Sequence, residues 1–434
     1  MRKVLPDTAS SDADGVLSVG GCRADELADR FGTPLIVFDR ATFEERARSF
    51  AAPLGPERVY YAGKAFCCVA ICELLRDLGL SLDVCSGGEL ATALAAGFPA
   101  ERIMFHGNNK SSAELDRARG AGVGRIAVDS FEEIERLADA RVETKLLVRV
   151  TPGVEAHTHE FVQTGQEDSK FGFTLHDGIA LDAIKRASEV PGCELVGLHA
   201  HIGSQIFEMA AFELAIERLA ELAREAAANH GFVTRELDIG GGLGIAHTED
   251  ELTPDPHASV ARILAAVERS FAARDLPVPE LFVEPGRAIV GSSAVTLYRV
   301  GTVKRIPGVR TYVSVDGGMS DNIRPALYSA RYSAFLAERM EAPEGPMVTI
   351  AGKHCESGDV LIKDVHLPDD VAPGDLLCIP ATGAYTYSMA SNYNRVPRPP
   401  VVMVNDGVAT EIVARETEAD LLRLDRRLDG SALP

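Results

Sequence analysis

The stretch Glu236-Leu237-Asp238-Ile239-Gly240-Gly241-Gly242-Leu243-Gly244, a short apolar strand running into a glycine cluster, decides the fold. Successive glycines let backbone N–H groups turn toward one anion without side-chain obstruction, which makes a nest for phosphate. A glycine run can also be a plain tight turn, so its place along the chain carries the weight. Candidate strands precede it at Val59–Ala62, Leu82–Cys85, Ile103–His106, Arg125–Asp129, Leu146–Val150 and Leu195–His199, and Leu281–Val283 follows it. The cluster thus ends the seventh of eight strands. A doubly wound sheet would place its glycine fingerprint after the first strand. A (β/α)8 barrel commonly binds phosphate where this cluster lies, and eight units over roughly 230 residues match its size.

Between the strands run amphipathic stretches such as Phe131–Ala138 and Phe212–Ala220, apolar at three- and four-residue spacing. After about residue 290 the texture becomes β-branched, in Ala294–Val300, Thr311–Val315, Met347–Ile350, Asp375–Ile379 and Val401–Val404. These runs predict a second, mainly β domain over residues 290–434, to which residues 1–38 lend the strand Leu35–Phe38. The barrel is expected over residues 39–289. A chain of 434 residues is long enough for two cores.

Lys and Arg number 44 against 64 Asp and Glu, a formal charge of −20 that repels nucleic acid and anionic bilayers. No run approaches membrane-spanning length, and the N-terminal residues lack an apolar signal core. The eight cysteines are expected to be reduced thiols of a cytoplasmic protein. No CxxC pair or matched histidine spacing supports zinc, so no metal is expected.

Three further clusters end strands: Tyr61-Ala-Gly-Lys64, His199-Ala-His201-Ile-Gly-Ser204 and Glu284-Pro-Gly286-Arg287. Barrel walls around Lys64 would desolvate it, lower its pKa and free the amine for Schiff-base formation, although a solvated loop lysine is the alternative. Ser204 can add a hydroxyl to the nest. His199 and His201 are expected to diverge, one toward the barrel interior and the other toward the outer helices, which argues against zinc on this pair. His201 could pack on a cofactor ring or be a hydrogen-bonded core residue. Glu284 can hold a pyridine nitrogen protonated, and Arg287 offers a fork for a carboxylate; an internal Glu–Arg pair is the competing reading. A lysine, a histidine, a nest and an acid at strand ends fit pyridoxal 5'-phosphate.

In order along the chain, Tyr61-Ala-Gly-Lys64-Ala-Phe66, Cys85-Ser-Gly-Gly-Glu-Leu90, Phe105-His-Gly-Asn-Asn-Lys110, Thr151-Pro-Gly-Val-Glu-Ala-His-Thr-His159 and Lys170-Phe-Gly-Phe173 resemble the fold-type III pyridoxal-phosphate decarboxylases. The likeness continues through His201–Gln205, the nest, Glu284–Arg287, Arg324-Pro-Ala-Leu-Tyr328 and Cys355-Glu356-Ser-Gly-Asp359. It is strongest toward members that act on meso-2,6-diaminopimelate. It implies the cofactor on Lys64, His201 on the ring face, Glu284 at the ring nitrogen, and phosphate held by Ser204, Gly241, Gly242, the Gly286–Arg287 turn and Tyr385. It further implies Arg287, Arg324 and Tyr328 on the distal carboxylate, with Tyr385 also at the substrate. Glu356 would meet the distal ammonium, and Cys355 would donate a proton. A homodimer with shared sites, and L-lysine and CO2 as products, are implied too. Phe66 departs from the asparagine of many relatives and leaves the lysine intact. Alternatives are decarboxylation of ornithine, arginine or carboxynorspermidine, racemisation of alanine, or a non-catalytic cofactor carrier.

Overall fold

A computed structural model describes residues 3–140, 144–154 and 169–433. Two compact units divide the chain: Arg46–Ile245 with Thr253–Ile289, and Met1–Glu45 with Ala246–Leu252 and Val290–Pro434.

The first unit is built on eight parallel strands: β1 Tyr60–Ala62, β2 Ser81–Val84, β3 Ile103–Phe105, β4 Arg125–Val128, β5 Lys145–Thr151, β6 Glu194–His199, β7 Glu236–Asp238 and β8 Glu280–Phe282. Each is a strand read from the sequence, displaced by a residue or two at its ends. Neighbours in sequence are neighbours in the sheet, all parallel. The ring closes through a bridge between Val59 and Val283, with Tyr60 N–H donating to Val283 O at 2.9 Å and Val283 N–H to Arg58 O at 3.1 Å. Strands covered on both faces are apolar almost throughout, which is why they stood out as continuous runs. A two-residue strand, Phe173–Thr174, pairs beside β5 off this ring.

Inside the ring Tyr60, Met104, Ala127, Leu147, Val196 and Phe282 pack as one buried cluster. At the N-terminal end of the strands, Arg125 donates to both oxygens of Glu236 at 2.7 and 2.8 Å and to Tyr60 Oη at 2.9 Å. A filled interior and this ion pair close one end, so chemistry is left to the C-terminal end.

The helices keep their apolar faces on the barrel. Helix Met209–His230 buries Phe212, Ala215, Ile216, Leu219 and Ala223 and stops at Gly231, whose φ of 66° is the left-handed terminator that glycine tolerates. Helix Ser112–Ala121 starts with a reciprocal Ser111/Glu114 capping box. Ahead of helix Val69–Asp77, Cys67 precedes the N-cap Cys68 and packs on Cys72, with the sulfurs 3.8 Å apart. That is the geometry of a hydrophobic staple, so these thiols serve packing.

In the second unit the strand Ala294–Ile306 is the spine. Its first half lies between Leu35–Asp39 and Leu376–Pro380, both antiparallel to it, and its second half pairs with Arg310–Val315. Beyond these lie Val401–Asn405 and Val408–Val413 on one side, and Met347–Ala351 and Val360–His366 on the other. The strand Leu35–Asp39 is thus central to the sheet, buried at every position. Leu17, Leu35, Val37, Val295, Leu297 and Val402 belong to one core cluster, and Tyr298, Val313, Ile350 and Leu377 to a second.

Candidate active site

At the C-terminal ends of β1–β8 the quoted clusters come together within the barrel unit. Glu284, two residues past β8, is buried, and its Oε1 lies 2.7 Å from His106 Nε2 and 3.2 Å from His199 Nε2. The three donor atoms fall within 4.8 Å of one another. Burial alone would protonate such an acid, but His106 and then His199 outweigh it and hold Glu284 well below the ordinary carboxylate range. The expected competitor, a Glu284–Arg287 pair, gives way to this acid–imidazole group. Arg287 instead donates from Nη2 to Ser204 Oγ at 2.9 Å and from Nε at 3.3 Å.

His199 and His201 do not diverge as expected. Residues two apart on a strand share a face, and β6 ends at His199 in any case. His199 points into the barrel at Glu284, while His201 accepts the Gly241 N–H on Nδ1 at 3.2 Å. His201 is pushed well below the ordinary imidazole value, by burial first and then by the Lys64 and Arg149 cations.

Lys64 sits on the turn Gly63–Ala65 after β1, and its side chain is exposed. The expected desolvation by barrel walls is not found, because the turn carries the residue past the strand end to the open mouth. Its amine is therefore accessible.

The glycine cluster is packed against backbone on its inner side. A Cβ on Gly241 would lie 2.0 Å from Glu284 O, and one on Gly242, at φ 109°, 2.3 Å from Gly203 O. No side chain fits here, which suits a surface of bare backbone meeting an oxyanion. The N–H groups of Gly240 and Gly241 are engaged by Asp238 Oδ1 at 2.8 Å and by His201 Nδ1. Gly286 is close-packed to a lesser degree, with Ala62 and Ala65 carbons 3.0 Å from where its Cβ would stand. A reachable amine, an anionic buried carboxylate, and a side-chain-free nest beside a serine and an arginine fit a phosphorylated pyridine aldehyde.

Sequence reading gave no role to His106, Asp83 or Arg149. His106 lies within the quoted Phe105–Lys110 motif, and as a polar residue ending a buried strand it carried the same signal as Glu284. Residues 155–159 of the quoted Thr151–His159 motif lie outside the described residues.

Within the second unit, Arg324 opens the short helix Arg324–Tyr328 and is buried. Its Nη1 contacts His247 Nε2 at 2.9 Å and the Tyr332 hydroxyl, neither of them an acid, and its Nε has no hydrogen-bond partner among the described residues. Tyr328 is half-buried at the end of that helix. Cys355 and Glu356 are exposed on a loop held at its base by buried Asp359, which accepts from His354 N–H at 2.8 Å and Met319 N–H at 2.7 Å. Asn394 Oδ1 accepts the Cys355 N–H at 3.0 Å. Tyr385 has a φ of 59°, a strained value for a bulky residue.

Residues 40–291 match the family described as pyridoxal-dependent decarboxylase, pyridoxal binding domain. The chain is 50% identical to a diaminopimelate decarboxylase of Bacillus subtilis over 97% of this chain and 98% of that protein. It is 48% identical to the enzyme of the same name from Mycobacterium tuberculosis, over 98% of each. A solved diaminopimelate decarboxylase of M. jannaschii, in co-complex with L-lysine, superposes with a TM-score of 0.88 at 34% identity, covering 98% of this chain and 99% of that one. The barrel and its site thus define a pyridoxal-dependent carboxy-lyase. Within that class, the chain belongs to the diaminopimelate decarboxylase family.

Proposed function

We propose that this chain uses pyridoxal 5'-phosphate to remove the carboxyl group at the D-centre of meso-2,6-diaminopimelate, giving CO2 and L-lysine. The carrying observation is Glu284, a buried carboxylate kept anionic at the barrel end that also presents Lys64, His201 and the glycine nest. When bound, the cofactor supplies a protonated ring that takes up the electron pair left as the carboxyl departs.

The chain's own residues do the rest. Lys64, on the exposed turn after β1, is the amine that would carry the cofactor. Glu284 would keep the ring nitrogen protonated, and His201 would pack on the ring face. Ser204, Gly241, Gly242, the Gly286–Arg287 turn and Tyr385 hold phosphate.

Specificity rests at the far end of the substrate. Arg324 is a buried cation whose hydrogen-bond partners among the described residues are His247 and the Tyr332 hydroxyl, with no acid among them, and whose Nε is left over. A buried arginine in that state is matched by a carboxylate. With Arg287 and Tyr328 it takes the distal carboxylate, which ornithine and lysine lack, and Glu356 takes the distal ammonium. Tyr385 borders the same substrate. Cys355 is the proton donor to the carbanion. Because Cys355 and Glu356 stand exposed on a braced loop, we assign them to the site of a second copy in a homodimer. A cytoplasmic location accords with the strong negative charge; no helix among the described residues is long and apolar enough to cross a membrane.

The test is incubation of purified protein with pyridoxal phosphate and meso-diaminopimelate, scoring L-lysine and CO2, alongside ornithine, arginine and carboxynorspermidine. Lys64→Ala should lose both turnover and the cofactor's visible absorbance band. Full activity in that variant, or preferred turnover of a diamine precursor without a distal carboxylate, would overturn the proposal.

A further inference from the structure

Two histidines of the barrel mouth have no part in the function just described, yet they are the nearest groups to Glu284. His106 follows β3 and His199 ends β6, both buried, with ring centroids 4.7 Å apart at 56°. Their surroundings differ. His106 Nε2 lies between two acids, 2.7 Å from Glu284 Oε1 and 3.9 Å from Asp83 Oδ1. His199 faces Glu284 alone, at 3.2 Å. Other titratable groups at this end among the described residues are Lys64 after β1, Glu89, Arg149 on β5, His201 after β6 and Asp238 on β7. A carboxylate this enclosed takes up a proton unless a cation stands against it.

We propose that His106 and His199 are positioning residues for Glu284: His106, lodged between two carboxylates, is the cation that keeps the acid ionised, and His199 is a neutral imidazole that fixes the acid's orientation. This rests on reading Glu284 as the partner of the cofactor's ring nitrogen. The balance of forces separates the pair. Burial works to lower both, but at His106 the attractions of Glu284 and Asp83 win and its pKa is raised. At His199 burial wins and the value falls to about 4. Asp83, pushed by burial to about 6 although His106 draws it down, stays near enough to ionisation to serve His106.

A sign follows for pH. Without the His106 cation, the Glu284 carboxyl titrates at higher pH, so the ring nitrogen loses its charged partner as pH falls, while the parent protein holds it. A merely structural histidine would weaken the cofactor site equally at every pH.

Two measurements test this. In holoenzyme carrying 15N-histidine, nitrogen shifts recorded across pH should show His106 staying doubly protonated to higher pH than a free imidazole, and His199 as one neutral tautomer from about pH 6 upward. Resonances are assigned with H106Q and H199Q. Separately, pyridoxal phosphate affinity of the apo form is measured by fluorescence across pH for the parent, H106Q, H199Q and E284Q. The H106Q dissociation constant should rise about tenfold for each pH unit below its raised carboxyl pKa, the parent staying flat and H199Q weakening evenly. E284Q should be weak at all pH. A neutral His106 at neutral pH, or H106Q tracking the parent while E284Q is weakened, overturns the inference and leaves the Glu284 reading standing. If E284Q binds as tightly as the parent, both fall. Should H106Q not fold, D83N replaces it: loss of one flanking acid must lower the pKa of His106, and an unchanged titration counts against the proposal.

Discussion

Replacing Gly241 by alanine would set the phosphate nest against the ring-nitrogen acid, because the methyl group would point at the backbone that carries Glu284. The added Cβ would stand 2.0 Å from Glu284 O and 2.9 Å from its carbonyl carbon, whereas real Cβ contacts stay beyond 3.0 Å, so one segment must move by about 1 Å. The neighbour is main chain, tied by the Glu284 N–H to Gly240 O at 2.9 Å, and cannot rotate aside like a side chain. Overpacking of this kind costs about 1–3 kcal/mol of stability. A misplacement of ~1 Å at a reacting centre costs on the order of 10²-fold in rate, which is about 2.7 kcal/mol of barrier. Gly241→Ala should therefore fold, bind pyridoxal phosphate more weakly and lose on the order of 10²-fold in kcat/KM for meso-diaminopimelate. Gly244→Ala is the control: the three atoms nearest its Cβ, from 2.7 Å, all belong to the ring of Phe207, a side chain that is 41% exposed and so can yield where main chain cannot. It should stay within about twofold of the parent. Equal activities for the two variants in a CO2-release assay would refute the reasoning.

Lys110 Nζ lies 2.7 Å from Glu133 and donates to Gly107 O and Ala127 O at 2.7 and 2.9 Å, all in a buried setting, so Lys110→Met should cost about 3–5 kcal/mol in urea unfolding. Adding Glu133→Leu should restore much of that loss, and a single variant within ~1 kcal/mol of the parent would dismiss the pair. Asp321 accepts from Gly318 N–H and the Tyr298 hydroxyl, and burial raises its carboxyl to about 7. The folded form then binds the proton more tightly than the unfolded one, so stability falls as pH rises from about 4 to about 7, by on the order of 4 kcal/mol. Calorimetry should find Asp321→Asn raising Tm at alkaline pH and not at pH near 4; equal shifts at both would count against it. Cys355→Ala should keep the cofactor's absorbance while slowing turnover by ~10²-fold or more in single-turnover kinetics, and parent rates would remove Cys355 from proton transfer.

The barrel was legible because parallel strands are enclosed on both faces and appear as unbroken apolar runs, and because the glycine cluster could be counted to the seventh of them. The second unit was legible only in part. Ala294–Ile306 was read to Val300, since beyond it exposed Lys304 and Arg305 interrupt the apolar pattern while the backbone continues pairing with Arg310–Val315. The two- and three-residue strands Ser10–Ser11, Leu17–Val19 and Cys22–Arg23 are too short for any periodicity. In the site, residues carried by distinctive motifs were found, whereas His106 owes its place to closure of the ring, which brings the ends of β3, β6 and β8 together from distant parts of the chain. Lys64 was misjudged in the opposite sense: a strand-end lysine looks enclosed on paper, and one turn of backbone suffices to carry it out.

Closure also explains why one acid at the barrel mouth is singled out. Asp83, Asp238 and Glu284 are all buried there, too close for all of them to ionise at low cost. Asp238 takes one backbone N–H from Gly240, its Oδ2 has no hydrogen-bond partner among the described residues, and burial followed by repulsion from Glu284 holds it well above the carboxylate range. Asp83, with His106 at 3.9 Å, comes to about 6. Glu284, with two imidazoles on one oxygen, lies lowest. The order follows how closely each acid meets the His106 cation, 2.7 Å from Glu284 and 3.9 Å from Asp83, so protons collect on Asp238 and Glu284 is the acid most firmly ionised. A ring nitrogen brought to Glu284 therefore meets the most firmly ionised of the three acids. An aspartate at a strand end elsewhere in this mouth could not substitute for it without the two histidines moving as well.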